Sequence, residues 1–217
     1  MKKAICLNSG GADSATVVAL AKSKGFEVYT LYINYGNSAK EKEEECSGKI
    51  AEYYGVKEHR KVNLEFLSEI GGSGLVDSSI KLEEENKDLE YVPFRNTILL
   101  SLAVAWAEVI RADTIFVGSI GAPWITPDNS PEYFHALREV VKIGTKLKKD
   151  IQIEVPFGLM KKVDVIEKGL ELNVPYELTW SCHNNTDVAC GQCSQCLDRL
   201  KAFDTLKAQD PITYISF

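Results

Sequence analysis

Short β-rich runs alternate with longer helical patterns through the first half of the chain, and this alternation constrains the fold most. Runs rich in β-branched and aromatic residues predict four strands, at 3–7, 26–33, 60–64 and 114–117. Helical patterns follow the first strand up to about Lys24 and then cover 38–54 and 97–110. The last of these is apolar almost all round, which predicts a buried helix. The alternation predicts an α/β fold, a doubly wound parallel sheet covered by helices on both faces.

Length and charge limit the classes of protein to which the chain can belong. Its 217 residues fit one domain with a small appendage, and 45% of them are hydrophobic. A net charge of -6 argues against general binding to nucleic acid or to anionic membranes. The apolar run after Met1 is too short for a signal peptide, and no run is long enough to span a membrane. We therefore expect a cytoplasmic protein, whose thiols stay reduced.

Four of the six cysteines lie close together near the C-terminus. Their spacing is Cys182-x7-Cys190-x2-Cys193-x2-Cys196, which lets four thiolates surround one tetrahedral ion. Four protein ligands leave no open position, so the pattern predicts a structural Zn²⁺ site. Two alternatives stay open: disulfides, which a reducing compartment disfavours, and an iron–sulfur cluster, which four thiolates also suit.

Three further residues bear on this cysteine pattern. His183 could replace a cysteine as a ligand, although we expect an ordinary surface histidine there. Cys6 lies in the first predicted strand and Cys46 in a predicted helix. We expect both of these thiols to be small core residues.

A glycine-containing turn joins the first predicted strand to the first predicted helix. It consists of Asn8, Ser9, Gly10, Gly11, Ala12, Asp13 and Ser14. Ligands of open parallel sheets bind at the carboxyl ends of strands, where backbone amides and the helix dipole attract anions. Ser9 and Ser14 can add hydroxyl donors, while Asp13 could hold Mg²⁺ or cap the helix. The turn therefore predicts a phosphate site; the structural alternative is a capping turn in which glycines only relieve strain.

The string Ser-Gly-Gly-x-Asp-Ser resembles the pyrophosphate loop (PP-loop) of the N-type ATP pyrophosphatases. Together with the cysteines and three ordered segments, it resembles the 7-cyano-7-deazaguanine synthase family over almost the whole chain. Those segments are Val-Pro-Phe-Arg-Asn at 92–96, the stretch 174–182, and the knuckle and following helix at 190–199. The resemblance implies an adenine nucleotide alpha hydrolase-like fold over residues 1–175 and a helical, zinc-binding subdomain over residues 176–217.

The resemblance also implies a reaction, its cofactors and its site residues. Such an enzyme adenylates 7-carboxy-7-deazaguanine with ATP, forms the amide with ammonia, and adenylates that amide to give the nitrile. Its cofactors would be ATP, Mg²⁺ and Zn²⁺, and a homodimer is implied. Asp13, Ser14 and Arg95 would be catalytic. The nucleotide site would comprise residues 8–14 with Tyr35, Arg95 and Asn96; for the last two the alternative is a helix cap with a surface arginine.

Two segments depart from the family pattern, and both belong to substrate recognition. At 34–39 the tyrosine is kept, but the acid, the arginine and the histidine of the pattern are lost; at 122–130 much of the polar pattern is lost. Trp124 could stack on a base there or only anchor the loop. These departures leave two alternatives to the synthase, namely a paralogue that joins a deazaguanine acid to a protein or other amine, and a non-enzymatic zinc-knuckle module. Residues 69–90, rich in Gly, Ser and acid, are expected to form a mobile loop or lid.

Overall fold

Five parallel strands form one sheet at the centre of the molecule. The computed structural model describes residues 1–77, 79–80, 82, 88–121, 126–147, 150–184 and 187–215. The strands are β1 (Lys3–Leu7), β2 (Glu27–Asn34), β3 (Glu58–Asn63), β4 (Thr114–Phe116) and β5 (Gln152–Glu154). Their order in the sheet is β3-β2-β1-β4-β5, and every pairing is parallel. The order reverses at β1, so the crevice beside its carboxyl end is the expected ligand site of such a sheet.

Helices connect these strands and cover both faces of the sheet. They are α1 (Ala12–Ser23), α2 (Lys40–Tyr53), α3 (Phe66–Glu69), α4 (Arg95–Ile110), α5 (Pro131–Gly144), α6 (Lys162–Glu171) and α7 (Ser194–Thr205). One core joins α1, α6 and α7 to the sheet, with Phe116 and Phe203 among its buried rings. A second core joins α4 and α5 to the opposite face, around Ile5 and Trp106. The predicted α/β fold, doubly wound and parallel, is confirmed.

Most predicted elements begin and end within two residues of the observed ones. Ser130 caps the start of α5, because its side chain accepts a hydrogen bond from the Tyr133 amide at 3.1 Å. The prediction that 97–110 is buried all round is wrong. Only one face of α4 is buried, and Val109 on the other face is 78% exposed. Packing on a single sheet face can cover only one side of a helix, however apolar its whole circumference is.

Residues between β3 and α4 form a small core of their own. Leu67, Leu75, Leu82 and Val92 are buried together there, with the Tyr35 ring packed against them. The predicted lid at 69–90 falls partly on residues outside those described, so lid motion stays a prediction. Among the residues that the structure covers, no helix has the length and apolar character needed to cross a membrane.

Candidate functional site

The loop between β1 and α1 is held in place from two directions. Asn8 is buried, and its Nδ2 donates to the Ser47 carbonyl at 3.0 Å while the Ser47 hydroxyl donates to the Asn8 carbonyl at 2.7 Å. From the other side, the Trp180 amide donates to the Gly10 carbonyl at 2.9 Å. The first amides of α1 have no partner within the helix, so this fixed loop presents them toward the crevice.

Gly10 is the position in this loop that admits no side chain. Its φ is +79°, in the left-handed region. A Cβ there would lie 2.5 Å from the Glu43 carbonyl oxygen and 2.8 Å from the Ser47 nitrogen, both in the backbone of α2. The loop and α2 are therefore packed backbone against backbone at this point.

The two serines and the aspartate of the loop have different partners. The Ser9 hydroxyl donates to the Ser14 hydroxyl at 3.3 Å, and Ser14 in turn donates to the Gly11 carbonyl at 2.9 Å. Asp13 forms an ion pair instead, since Lys162 Nζ lies 2.8 Å from each carboxylate oxygen. Lys162 is the first residue of α6, and its side chain is 11% exposed. No sequence motif singled out this lysine, because 149 positions separate it from Asp13.

Arg95 and Tyr35 meet on the far side of the crevice. The Arg95 guanidinium donates to the Tyr35 hydroxyl at 3.1 Å and lies over its ring at 5.2 Å. Burial raises the pKa of Tyr35 to about 12, although Arg95 opposes the shift. The tyrosine thus stays protonated and leaves the charge of Arg95 available to an anion.

Asn96 lines the crevice and also fixes the start of α4 by hydrogen bonds to Asp128. Its backbone amide donates to the buried Asp128 carboxylate at 2.8 Å, and its Nδ2 donates to the Asp128 carbonyl at 3.1 Å. Phe94 precedes this helix start with φ +56° and is 57% exposed. A bulky residue in the left-handed region carries strain.

Glu43 and His183 are among the polar residues of the crevice that were not predicted as site residues. Glu43, in α2, lies near Asn37 and Arg95, and burial raises the pKa of its carboxyl group to about 7. His183 is half-buried, so the prediction of an ordinary surface histidine is wrong. Its Nδ1 is buried without a hydrogen-bond partner in the described part of the chain. Burial lowers the pKa of His183, although the negative charge of Glu90 opposes the shift.

These residues surround one cavity of about 750 Å³ at the carboxyl ends of β1, β2 and β4. Its polar lining includes Asn8, Ser9, Gly11, Asp13, Ser14, Tyr35, Glu43, Glu90, Arg95, Asn96, Asn129, Lys162, His183 and Asp198. Leu31, Ile33, Leu99 and Val117 contribute apolar walls. This volume lies within the range of small-molecule sites. Of the residues predicted for nucleotide binding, all but Gly10 and Ala12 line the cavity.

The four C-terminal cysteines converge beside the cavity. Their sulfur atoms all lie within 4.8 Å of one another, and all four residues are buried. Hydrogen bonds from the thiols of Cys193 and Cys196 lower the pKa of Cys182, so one sulfur is already favoured as a thiolate. None of the six cysteines takes part in a disulfide. The set fits a tetrahedral thiophilic ion. Cys6 and Cys46 are buried core residues, as predicted, Cys6 in the core around α1 and Cys46 packed beside the four cysteines.

Comparison with known proteins identifies the family. The model of the queuosine biosynthesis protein QueC matches residues 3–207. A 7-cyano-7-deazaguanine synthase of Methanoculleus marisnigri is 43% identical over 220 residues, covering 99% of each chain. One of Chlorobium phaeobacteroides is 40% identical and covers 98% of this chain and 96% of its own. The chain belongs to the QueC family. The resemblance drawn from its motifs is confirmed, and with it the prediction of an ATP-dependent enzyme.

One solved structure shows the same fold at much lower sequence identity. The NMN synthetase of Francisella tularensis superimposes with a TM-score of 0.51 at 17% identity, covering 96% of this chain and 78% of that protein. At this identity the likeness concerns the fold alone.

The segment at 34–39 was predicted to take part in substrate recognition. Its polar side chains Asn34 and Ser38 form hydrogen bonds within the protein instead. Asn34 accepts a hydrogen bond from the Gly36 amide at 2.9 Å and donates to Asn63 at 3.3 Å. The Ser38 hydroxyl donates to the His183 carbonyl at 2.6 Å. Tyr35 is therefore the residue of this segment that lines the cavity. Trp124 lies outside the described residues, and its predicted stacking stays a prediction.

Proposed function

We propose that this chain adenylates the carboxylate of 7-carboxy-7-deazaguanine with ATP and, with ammonia, forms 7-cyano-7-deazaguanine. One observation carries the proposal. A PP-loop in a QueC-family chain opens into a single cavity of about 750 Å³, which Lys162 and Arg95 line with positive charge. Such a cavity suits two bound substrates, a nucleoside triphosphate and a flat aromatic acid.

The proposed reaction begins with attack of a carboxylate oxygen on the α-phosphorus of ATP. Pyrophosphate leaves, and the first amides of α1 with the hydroxyls of Ser9 and Ser14 stabilise its charge. In this proposal Lys162, which pairs with Asp13, would move from Asp13 to a phosphate oxygen. Asp13 would then be free to bind Mg²⁺, which supplies charge neutralisation to the phosphates. Arg95 would orient the anionic acid or the α-phosphate.

Ammonia then attacks the acyl carbon, AMP leaves, and the amide forms. The amide oxygen attacks the α-phosphorus of a second ATP, and pyrophosphate leaves again. Loss of the second AMP together with the protons of the amide nitrogen produces the nitrile. The enzyme's part in these steps is to orient the reactants and exclude water, so no covalent enzyme nucleophile is required.

A direct assay tests this function. The protein is incubated with magnesium-ATP, ammonia and 7-carboxy-7-deazaguanine, and AMP, pyrophosphate and nitrile are quantified. We expect two AMP per nitrile. AMP with amide but no nitrile would contradict the proposal and favour the paralogue that couples the acid to another amine. Absence of AMP with this acid would contradict the substrate class.

The cysteine cluster is proposed to hold Zn²⁺ as a structural ion. Four sulfurs within 4.8 Å of one another match a four-coordinate thiolate site. Four protein ligands would leave no open coordination position for a reactant. We propose that residues 176–217 form a zinc-binding subdomain on the α/β domain of residues 1–175. A homodimer remains a proposal, which sedimentation measurements would test.

A further inference from the structure

One carboxylate in the cavity, that of Glu43, has neighbours that do not offset the cost of burying its negative charge. Among the residues that the structure describes, four carboxylates line the cavity: Asp13, Glu43, Glu90 and Asp198. Asp13 gives both oxygens to Lys162. Glu90 accepts hydrogen bonds from Ser194 and Gln195 at the start of α7. Asp198 takes part in another interaction. Glu43 differs, because its hydrogen-bond partner is the neutral side chain of Asn37.

The surroundings of Glu43 leave its oxygens available to a ligand. Desolvation outweighs both the Asn37 hydrogen bond and the attraction of Arg95, and it raises the pKa of the carboxyl group to about 7. A carboxylate in this position gains from any ligand that brings N–H donors, because those donors replace lost water.

A guanine-type base presents the matching groups. Its N1–H and exocyclic amino group are adjacent donors on one edge, and a carboxylate has two oxygens that accept hydrogen bonds side by side. In a 7-substituted deazaguanine this edge belongs to the six-membered ring, whereas the reacting carboxyl group is carried by the five-membered ring. One residue can therefore bind the donor edge without blocking the reacting group.

We propose that Glu43 determines specificity in this site by accepting hydrogen bonds from the N1–H and 2-amino groups of the deazaguanine acid. The inference rests on the proposed function and deepens it by assigning the group that reads the base. Glu43 takes over the recognition that the altered segment at 34–39 does not supply, since Asn34 and Ser38 are engaged with backbone groups.

The test compares two acids in three proteins. The acids are 7-carboxy-7-deazaguanine and 7-carboxy-7-deazahypoxanthine, which lacks the 2-amino group. The proteins are wild type, Glu43→Gln and the control Glu44→Gln. Glu44 lies in the same helix, and its carboxylate pairs with Lys61 at 2.8 Å on the surface. AMP formation gives kcat/KM for each acid and KM for ATP, and calorimetry with the same acids gives Kd.

We expect wild type and Glu44→Gln to prefer the amino-bearing acid by at least about 10-fold, because a site that bonds a donor rejects the analogue lacking it. In Glu43→Gln this preference is expected to fall below about threefold, with KM for ATP unchanged. Full preference in Glu43→Gln would overturn the inference. A raised KM for ATP with an unchanged KM for the acid would also overturn it, because the carboxylate would then face the adenine.

Binding separates this inference from the proposed function. A wild-type protein that makes no AMP, yet binds the amino-bearing acid more tightly than its analogue through Glu43, would contradict the function and support the inference. Equal binding of the two acids would overturn the inference whatever the activity. If Glu43→Gln does not unfold cooperatively, Glu43→Asp replaces it and should keep the preference with a higher KM for the acid. An unchanged KM in Glu43→Asp would count against the role.

Discussion

At the scale of single residues, Gly10 connects the PP-loop to the packing of α2. Its positive φ and its contact with the backbone of Glu43 and Ser47 make glycine necessary for two separate reasons. Gly25, in the turn after α1, also has a positive φ of +76°, but a Cβ there would meet no atom within 4 Å. The two glycines therefore separate backbone strain from steric overlap.

We predict that Gly10→Ala destabilises the protein much more than Gly25→Ala does. Both variants should lose about 1–2 kcal/mol through the left-handed backbone. Only Gly10→Ala adds overlap of a methyl group with α2, which must shift the loop and weaken ATP binding. Urea unfolding of the two variants and ATP titration calorimetry provide the measurement. Equal losses of unfolding free energy would show that the loop and α2 move apart at little cost to admit the methyl group.

At the scale of elements, the sequence indicated the sheet better than it indicated the site. β1, β2 and β4 carry apolar, β-branched runs, and the loop after β1 has its own motif, so these were predictable. β5 has only three residues, and no strand was predicted there. Lys162 and Glu43 occur in charged stretches that resemble solvated helix faces. Their placement in the cavity depends on tertiary packing between segments far apart in the chain, which local patterns do not encode.

The start of α7 lies at the cysteine cluster. Cys193 is its N-cap residue, and the next two residues hold Glu90 at the cavity. We predict that Cys193→Ser lowers bound zinc and thermal stability together, since metal binding contributes folding free energy. Cys6→Ala, which removes a buried thiol from a different core, should keep its zinc. Elemental analysis and thermal unfolding measure both. Normal zinc in Cys193→Ser would contradict the assignment, as would iron in the wild-type protein.

At the scale of the whole molecule, one buried ion pair ties the C-terminal residues to the rest. Arg199 is 0% exposed and donates two hydrogen bonds to Asp210, each at 2.9 Å. It also donates to the Thr179 hydroxyl at 2.7 Å and to the Tyr176 carbonyl at 3.0 Å. Tyr176 in turn shares a 3.0 Å hydrogen bond with Thr16 in α1. The guanidinium therefore links α7, the chain end and the segment before the cysteines to the helix that follows the PP-loop.

We predict that Asp210→Asn lowers the free energy of unfolding by about 3–5 kcal/mol, because it leaves a buried guanidinium without its countercharge. The matched surface change is Glu45→Gln, since Glu45 pairs with Lys42 and Lys49 where its side chain is 45% exposed. That variant should lose at most about 1 kcal/mol. Denaturant unfolding of both variants measures the difference. A small loss in Asp210→Asn would mean that Thr179 and the Tyr176 carbonyl satisfy Arg199 alone, and the chain end would then be a passive extension.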